Sequence, residues 1–322
     1  MLRRNVLALS AAGLSAPFVA RAQAPWPSGP VRVIVPFPPG GGTDIIARVF
    51  QPKLAEALGK PVVIENRGGA SGSVGAMEAA RAAPDGHTWL MVYDTEATNQ
   101  TTMRLPYRLM QAFAPVSLVA TGPLVLVAGK AAPWANLREL VAAAKKAPDA
   151  ISYGTAGIGT LAHVSTTLLQ QMGDFKLAHV PYRGGGPALQ AVLSGEVPLA
   201  SLPAVTANPQ IRSGALRPLG VTTAGESRHV PGVKSFAQQG FADFDAPTWW
   251  AMLGRAGTPA PIVQRMHEAL ASVLTNPELR AKIEEQGADV VAGGPERTRR
   301  FLNAEVQRWG QVIRDNNITL EG

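Results

Sequence analysis

The residues best suited to hold a small charged molecule are four glycine-rich loops, and each follows a run that reads as a β-strand. The first is Pro36-Phe37-Pro38-Pro39-Gly40-Gly41-Gly42-Thr43-Asp44. Prolines stiffen its entry, and the glycines let a ligand approach main-chain amides closely. Those amides stand at the start of an expected helix, where unpaired N–H groups and the helix dipole favour an anion. The pattern suits a carboxylate, although an ordinary strand-to-helix turn would read the same way. No Gly-Lys-Ser/Thr follows, the spacing is not G-x-G-x-x-G, and Asp44 would repel a phosphate dianion. A second loop, Asn66-Arg67-Gly68-Gly69-Ala70-Ser71-Gly72, follows the next strand. Parallel strands would bring both loops to one sheet edge. Arg67 is placed either to grip a carboxylate with two hydrogen bonds or to form a surface ion pair.

Further along, Tyr153-Gly154-Thr155-Ala156-Gly157-Ile158-Gly159-Thr160 repeats the design, with His163 in the following helix as a ligand contact or a structural histidine. Tyr182-Arg183-Gly184-Gly185-Gly186-Pro187 is another helix start compatible with an anion. Of Trp249 and Trp250, alternation along a strand sends at most one to a ligand, and Trp249 is taken as that one; both filling core is the competing reading.

Catalytic patterns are missing. The closest approach to a hydrolase elbow, Gly69-Ala70-Ser71-Gly72-Ser73, ends in Ser where the pattern requires Gly. His87, His163, His179, His229 and His267 show no metal-ligand spacing, and the absence of Cys excludes disulfides, thiolate nucleophiles and Cys-ligated metals. No cofactor or metal is expected. Carboxylates distant in sequence can still meet in space, which leaves an exported hydrolase or isomerase as a competing reading.

The elements that position the loops read as α/β. Strands are expected at Val31–Val35, 62–65, Thr88–Tyr93, 124–127, 151–153, 179–182 and Leu216–Val221. Helices are expected after Thr43 or Asp44 up to Gly59, bent at Pro52, then at 73–83, 136–146 and from Pro187; from Pro261 onward the tail reads as helical. The βαβ order implies parallel sheets with right-handed crossovers. Two lobes follow, the first from 25–118 with 226–322 and the second from 119–225, with a ligand cleft at their junction.

Arg3 and Arg4, the apolar run Val6 to Val19, and Ala22-Gln23-Ala24 form an export signal over residues 1–24, cleaved after Ala24. Whether the general secretory or the twin-arginine route is used stays open. Removing that segment takes away three arginines and no acid, so the formal charge falls from +7 to +4. The remaining basic residues are scattered, without interleaved aromatics, which argues against nucleic acid.

In order and spacing, the chain resembles the Bug family of TctC-type receptors of tripartite tricarboxylate transporters. The residues carrying the likeness include Pro36-Phe37 with Gly40 to Asp44, Glu65-Asn66-Arg67 with Gly69-Ala70, Leu105-Pro106-Tyr107, and Phe113-Ala114-Pro115-Val116. They continue through Tyr153-Gly154, Gly157 to His163, Val180-Pro181-Tyr182, Leu216-Arg217-Pro218-Leu219, Gly257-Thr258-Pro259 and Arg308-Trp309. The resemblance implies a two-lobe Venus-flytrap binding protein of the type II kind, without catalysis, in the periplasm. It implies a carboxylate ligand (dicarboxylate, amino acid or aromatic acid) and membrane permease subunits as partners; reuse as a receptor for a sensor kinase is the competing role. It further implies that the loop from Phe37 to Asp44 holds a carboxylate and that the loop from Thr155 to Thr160 meets it from the other lobe. The chain departs from the family at Ala191, Pro198 and Leu202, where Asp is frequent, and at Glu96, where His is frequent. Leu202 is therefore expected to make the distal pocket apolar, and Glu96 to meet an amino group if it faces the cleft.

Overall fold

A computed structural model describes residues 26–318. The export signal expected over 1–24 lies outside the described residues.

Two mixed sheets organise the chain. The first begins with β1 (Val31–Val35), β2 (Val62–Asn66), β3 (Thr88–Tyr93) and β4 (Phe113–Gly122). The chain then enters the second sheet through β5 (Leu124–Gly129), β6 (Ser152–Thr155), β7 (Ala178–Pro181), β8 (Leu199–Pro203) and β9 (Leu216–Val221), and returns with β10 (Thr248–Arg255) and β11 (Asp289–Gly293). Spatial order is β11-β4-β10-β3-β1-β2 in one sheet and β7-β6-β8-β5-β9 in the other. β1 is parallel to β2 and β3, and β6 is parallel to β7 and β8, so the first and third loops leave the carboxyl edges of their sheets as expected.

The sheets are not wholly parallel. β10 runs antiparallel to both β3 and β4, and β5 runs antiparallel to both β8 and β9, because these strands carry the chain between lobes. The crossings fall at Gly122 to Leu124 and between Val221 and Thr248, and Phe236, Phe244 and Ala246 on the return path pack into the second core. The expected all-helical tail contains β11, an edge strand on β4. It follows the left-handed Gly287 that ends the preceding helix and brings a short Val290-Val291 pair to the sheet.

The helix Gly42–Leu58 buries Ile46, Phe50, Leu54 and Leu58 against one face of the first sheet, as their four-residue spacing predicts. Gly59 stops it in the left-handed conformation, and Pro52 is accommodated inside it. Its N-cap is Gly41, one turn edge earlier than the expected Thr43 or Asp44. Alternation assigns the other side chains: Trp89, Met91, Trp250 and Met252 face this helix, while Leu90, Val92, Trp249 and Leu253 face the opposite core. The last helix, Pro295–Asp315, ties the halves together, since Leu302 lies in that opposite core and Trp309 and Ile313 lie in the core of the second sheet.

Candidate functional site

In the helix Gly42–Leu58 the amide of Ile45, on the carbonyl of Gly41 at 3.0 Å, makes the first turn's bond, so the amides before it stand at an open helix start. Asp44 is not aimed at a ligand. Its buried carboxylate accepts the amide of Gly40 (3.0 Å), Nε of Arg48 (2.9 Å) and Nδ2 of Asn66 (3.0 Å). Asn66 also donates to the carbonyl of Phe37 at 2.9 Å, so the two polar side chains fasten both ends of the first loop. Burial alone would raise the Asp44 pKa, but the hydrogen bonds from Arg48, Gly40 and Asn66 outweigh it and hold it below the usual carboxylate range.

Arg67 takes the ion-pair alternative: half-exposed, it meets Glu65 at 3.1 Å and Glu78 at 3.3 Å. The next residues reach the other lobe instead. Ala70 and Ser71 both have left-handed backbones, and Ser71 Oγ donates to the carbonyl of Ile158 at 2.5 Å. Thr98 Oγ1 donates to the carbonyl of Gly159, also at 2.5 Å. These hydroxyls from the first lobe cap the third loop of the second, and the lobes are closed on each other. The closure relies on missing side chains: a Cβ on Gly42 would stand 2.8 Å from Val205 Cγ2, and one on Gly184, whose φ is +139°, would stand 2.8 Å from Pro38 Cδ.

The third loop is held from beneath. The hydroxyls of Thr155 and Thr160 bond the carbonyl of Gly157 at 3.1 and 2.9 Å, and Thr155 Oγ1 lies 2.7 Å from His179 Nε2. His163 Nδ1 accepts the amide of Gly159 at 3.2 Å, and its ring stacks on His179 at 3.7 Å. Burial pushes His163 down to about 4; burial and the neighbouring imidazole push His179 down to about 3. Both rings are therefore neutral near pH 7, and His163 supports the loop from its own helix.

Two neighbouring chambers lie between the loops. The inner one, about 20 Å³, is bounded by Phe37, Gly41, Gly42, Thr43, Tyr93, Ala156, Gly185 and Pro203. The outer one, about 880 Å³, shares Phe37 and Ala156 with it and takes in Pro38, Pro39, Asn66, Gly68 to Gly72, Thr102, Met103, Gly157, Ile158 and Pro181 to Arg183. Thus the structure gathers Phe37, Gly41, Gly42, Thr43, Asn66, Ala70, Ser71, Gly157 and Tyr182 around the cleft, with Gly40 and Asp44 fastening its first loop and Thr155 and Thr160 its third.

It does not bring Tyr153, Leu202 or Trp249 there. Tyr153 is fully buried in the second core against His179, and Leu202 packs with Val125 and Ala200 on the far face of its strand. Trp249, expected toward a ligand, points to the core of the last helix and donates to Glu305 at 2.9 Å. Its neighbour Trp250 takes the cleft-ward face, 5.8 Å from Tyr93, because Tyr93 is its cross-strand partner. Glu96 turns away from both chambers and accepts Tyr107 Oη at 2.8 Å; burial pushes its carboxyl up to about 7.

Tyr93 and Pro203 end their strands at the cleft, a position that the carboxyl-edge argument could have assigned without a glycine signal. Thr206 carried no such signal. Its buried hydroxyl has no hydrogen-bond partner and lies 3.4 Å from the place where a Gly42 Cβ would be; Trp250 Nε1, also without a partner, belongs to the indole 3.2 Å from that same place. Unpaired buried donors beside open helix amides are the local chemistry of an acceptor site.

The profile of the tripartite tricarboxylate transporter family receptor, TctC, matches residues 46–318. The chain belongs to this family. Among TctC relatives, Protein BugT of Bordetella pertussis is 35% identical over 318 residues, covering 97% of this chain and 96% of BugT. The structure of the periplasmic binding protein BugD superposes with a TM-score of 0.87 at 30% identity, covering 91% of this chain and 99% of BugD. The structure of R. palustris Rpa4515 with adipate gives a TM-score of 0.88 at 31% identity, with the same coverage of 91% and 99%. TctC proteins are solute-binding receptors and not enzymes, and the two-lobe binding-protein fold read from the sequence is the fold observed.

Proposed function

We propose that this protein is a periplasmic receptor that closes its two lobes over the carboxylate of a small organic acid and delivers it to the permease subunits of a tripartite tricarboxylate-type transporter. The observation that carries the reading is the inner chamber, which Gly41, Gly42 and Thr43 at one helix start line together with Gly185 at another, with no acidic residue on the walls. Phe37 and Tyr93 line it on the apolar side, and the unpaired hydroxyl of Thr206 lies behind Gly42, 3.4 Å from where a Cβ on that residue would stand. The likeness to an adipate-bound relative supports an acid as the ligand. Gly40 and Asp44 serve as fasteners of the cradle; Ala70, Ser71, Thr155, Gly157, Thr160 and Tyr182 complete the closing surface. Residues 1–24 act as the export signal, and the lobes 25–118 with 226–322 and 119–225 are the bodies that move.

The test is thermal unfolding of the mature chain with mono- and dicarboxylic acids and with the matching primary amides. Acid at about 100 times its dissociation constant adds about 2.7 kcal/mol to stability. The acids should raise the melting temperature and the amides should not; equal responses, or turnover of the bound acid, would reject the reading. Co-purification with the permease after membrane solubilisation tests the partner.

A further inference from the structure

Away from the cleft, the first sheet and its helices enclose a cavity of about 390 Å³ lined by three arginines, Arg81, Arg108 and Arg255, and by no acidic residue. They come from separate parts of the chain: Arg81 ends the helix Ser73–Arg81, Arg108 precedes the short helix Leu109–Ala112, and Arg255 ends β10. Gly254 pairs with Trp89, which sets Arg255 beyond the amino end of β3, whereas Tyr93 ends that strand at the cleft, about 13 Å from Trp89 at 3.3 Å per residue. The cavity shares no residue with either chamber. None of the three arginines has a carboxylate within ion-pair distance among the described residues. Glu78, three residues before Arg81, is turned to Arg32 at 2.9 Å and Arg67 at 3.3 Å, and Glu96 lies buried behind Tyr107, whose hydroxyl it accepts at 2.8 Å. Arg255 Nη1 donates to the carbonyl of Ala256 at 2.8 Å, and its Nε is buried without a hydrogen-bond partner. Three like charges in one cavity with an unsatisfied guanidinium N–H among them call for an anionic acceptor.

We propose that this cavity is an anion site separate from the ligand cleft and that it takes a phosphate dianion. A carboxylate has two oxygens and one charge, which satisfy a single guanidinium fork; a phosphate dianion brings three acceptor oxygens and twice the charge to three forks. The amide of Gln111 adds a further donor to the wall. Inorganic phosphate and the phosphomonoester headgroup of a lipid share this chemistry, and Arg81 and Arg108, both exposed, leave the cavity open to either. The site stands apart from the carboxylate reading of the cleft, and the two can fail independently.

The test is calorimetric titration of the mature protein with inorganic phosphate, beside flotation with vesicles containing phosphatidic acid and with vesicles of phosphatidylcholine alone. The double variant Arg81→Gln/Arg108→Gln should weaken phosphate at least tenfold, the scale of lost charge-assisted hydrogen bonds, and abolish flotation with phosphatidic acid. Its melting temperature and its affinity for octanoate, which reports on the cleft, should stay at the wild-type values, because both arginines are exposed and neither lines a chamber. Lys145→Gln/Lys146→Gln makes the same change in net charge on exposed residues of another helix and should alter neither phosphate binding nor flotation. Gly42→Ala, which crowds the cleft, should leave phosphate affinity unchanged. Phosphate binding without flotation identifies a soluble phosphate as the occupant, and flotation without phosphate binding identifies a headgroup; either, when lost in the arginine variant, supports the site. Failure of both, an equal loss in the lysine variant, no loss in the arginine variant, or loss of phosphate binding in Gly42→Ala would overturn it.

Discussion

Replacing Asp44 by Asn tests whether one buried carboxylate organises the loop that cradles the ligand. Asp44 accepts three donors: the Gly40 amide, Asn66 Nδ2 and Arg48 Nε. The first two are neutral donors on a charged acceptor, worth about 1.5 kcal/mol each at the low end of the charged range. The Arg48 pair has a guanidinium 49% exposed and is worth about 0.5 kcal/mol after solvent screening. Asn keeps one carbonyl but turns an NH2 group toward donors, so the loss should be about 2–3 kcal/mol, or roughly 3–5 °C in melting temperature for a chain of this length. Because the folded carboxyl titrates below its unfolded value, this contribution is complete above the ordinary carboxylate pKa and disappears as pH falls through the folded one. Urea unfolding at pH 7 and pH 3 measures it, with Arg48→Gln as the milder comparison at about 0.5 kcal/mol. Acid binding should weaken in Asp44→Asn even where the protein is fully folded. A stability within a few tenths of a kcal/mol of wild type, unaltered acid affinity, or an equal loss in Arg48→Gln would refute the reasoning.

Gly42→Ala places a methyl 2.8 Å from Val205 and 3.2 Å from the Trp250 indole, so neighbours must shift; acid affinity should drop at least tenfold, while the unliganded melting temperature falls only slightly, as calorimetry and thermal melts will show. Ser71→Ala and Thr98→Val each remove one hydroxyl bridge between lobes, and each should raise the ligand off-rate about fivefold in stopped-flow measurements, from the net worth of one hydrogen bond. Burial pushes the Asp94 carboxyl up to about 8, so between about pH 4 and 8 the folded state holds a proton that the unfolded chain has already released; stability should fall as pH rises through that window and level off above it. Glu96, pushed up to about 7, adds to the same decline, at most about 1.4 kcal/mol per pH unit for each group, and Asp94→Asn should make the measured slope shallower.

Much of this was legible because two periodicities and a rule about strand ends are local. The run Val31–Val35, the four-residue spacing of Ile46, Phe50, Leu54 and Leu58, and Gly59 as the stop each state their own structure. Loops at the carboxyl edges of parallel strands then locate the cleft. What escaped depends on partners far along the chain. β4 and β10 pair antiparallel across more than a hundred residues, and neither carries a turn signal that announces the pairing. Whether Trp249 or Trp250 faces the cleft depends on register against Tyr93, which one sequence does not display. The same limit applies to Arg67, whose acidic partners Glu65 and Glu78 become neighbours only after β2 and the helix Ser73–Arg81 pack together. Leu202 was read by substitution alone; strand alternation turns it into the core and leaves Pro203 at the chamber.

The central claim is that main-chain amides from two lobes meet on one carboxylate. Backbone amide NMR during titration with octanoate and, separately, octanamide tests it most directly. The amide signals of Gly41, Gly42, Thr43 and Gly185 should move downfield together with octanoate and stay in place with octanamide. Movement confined to one lobe, or the same movement with both compounds, would contradict it.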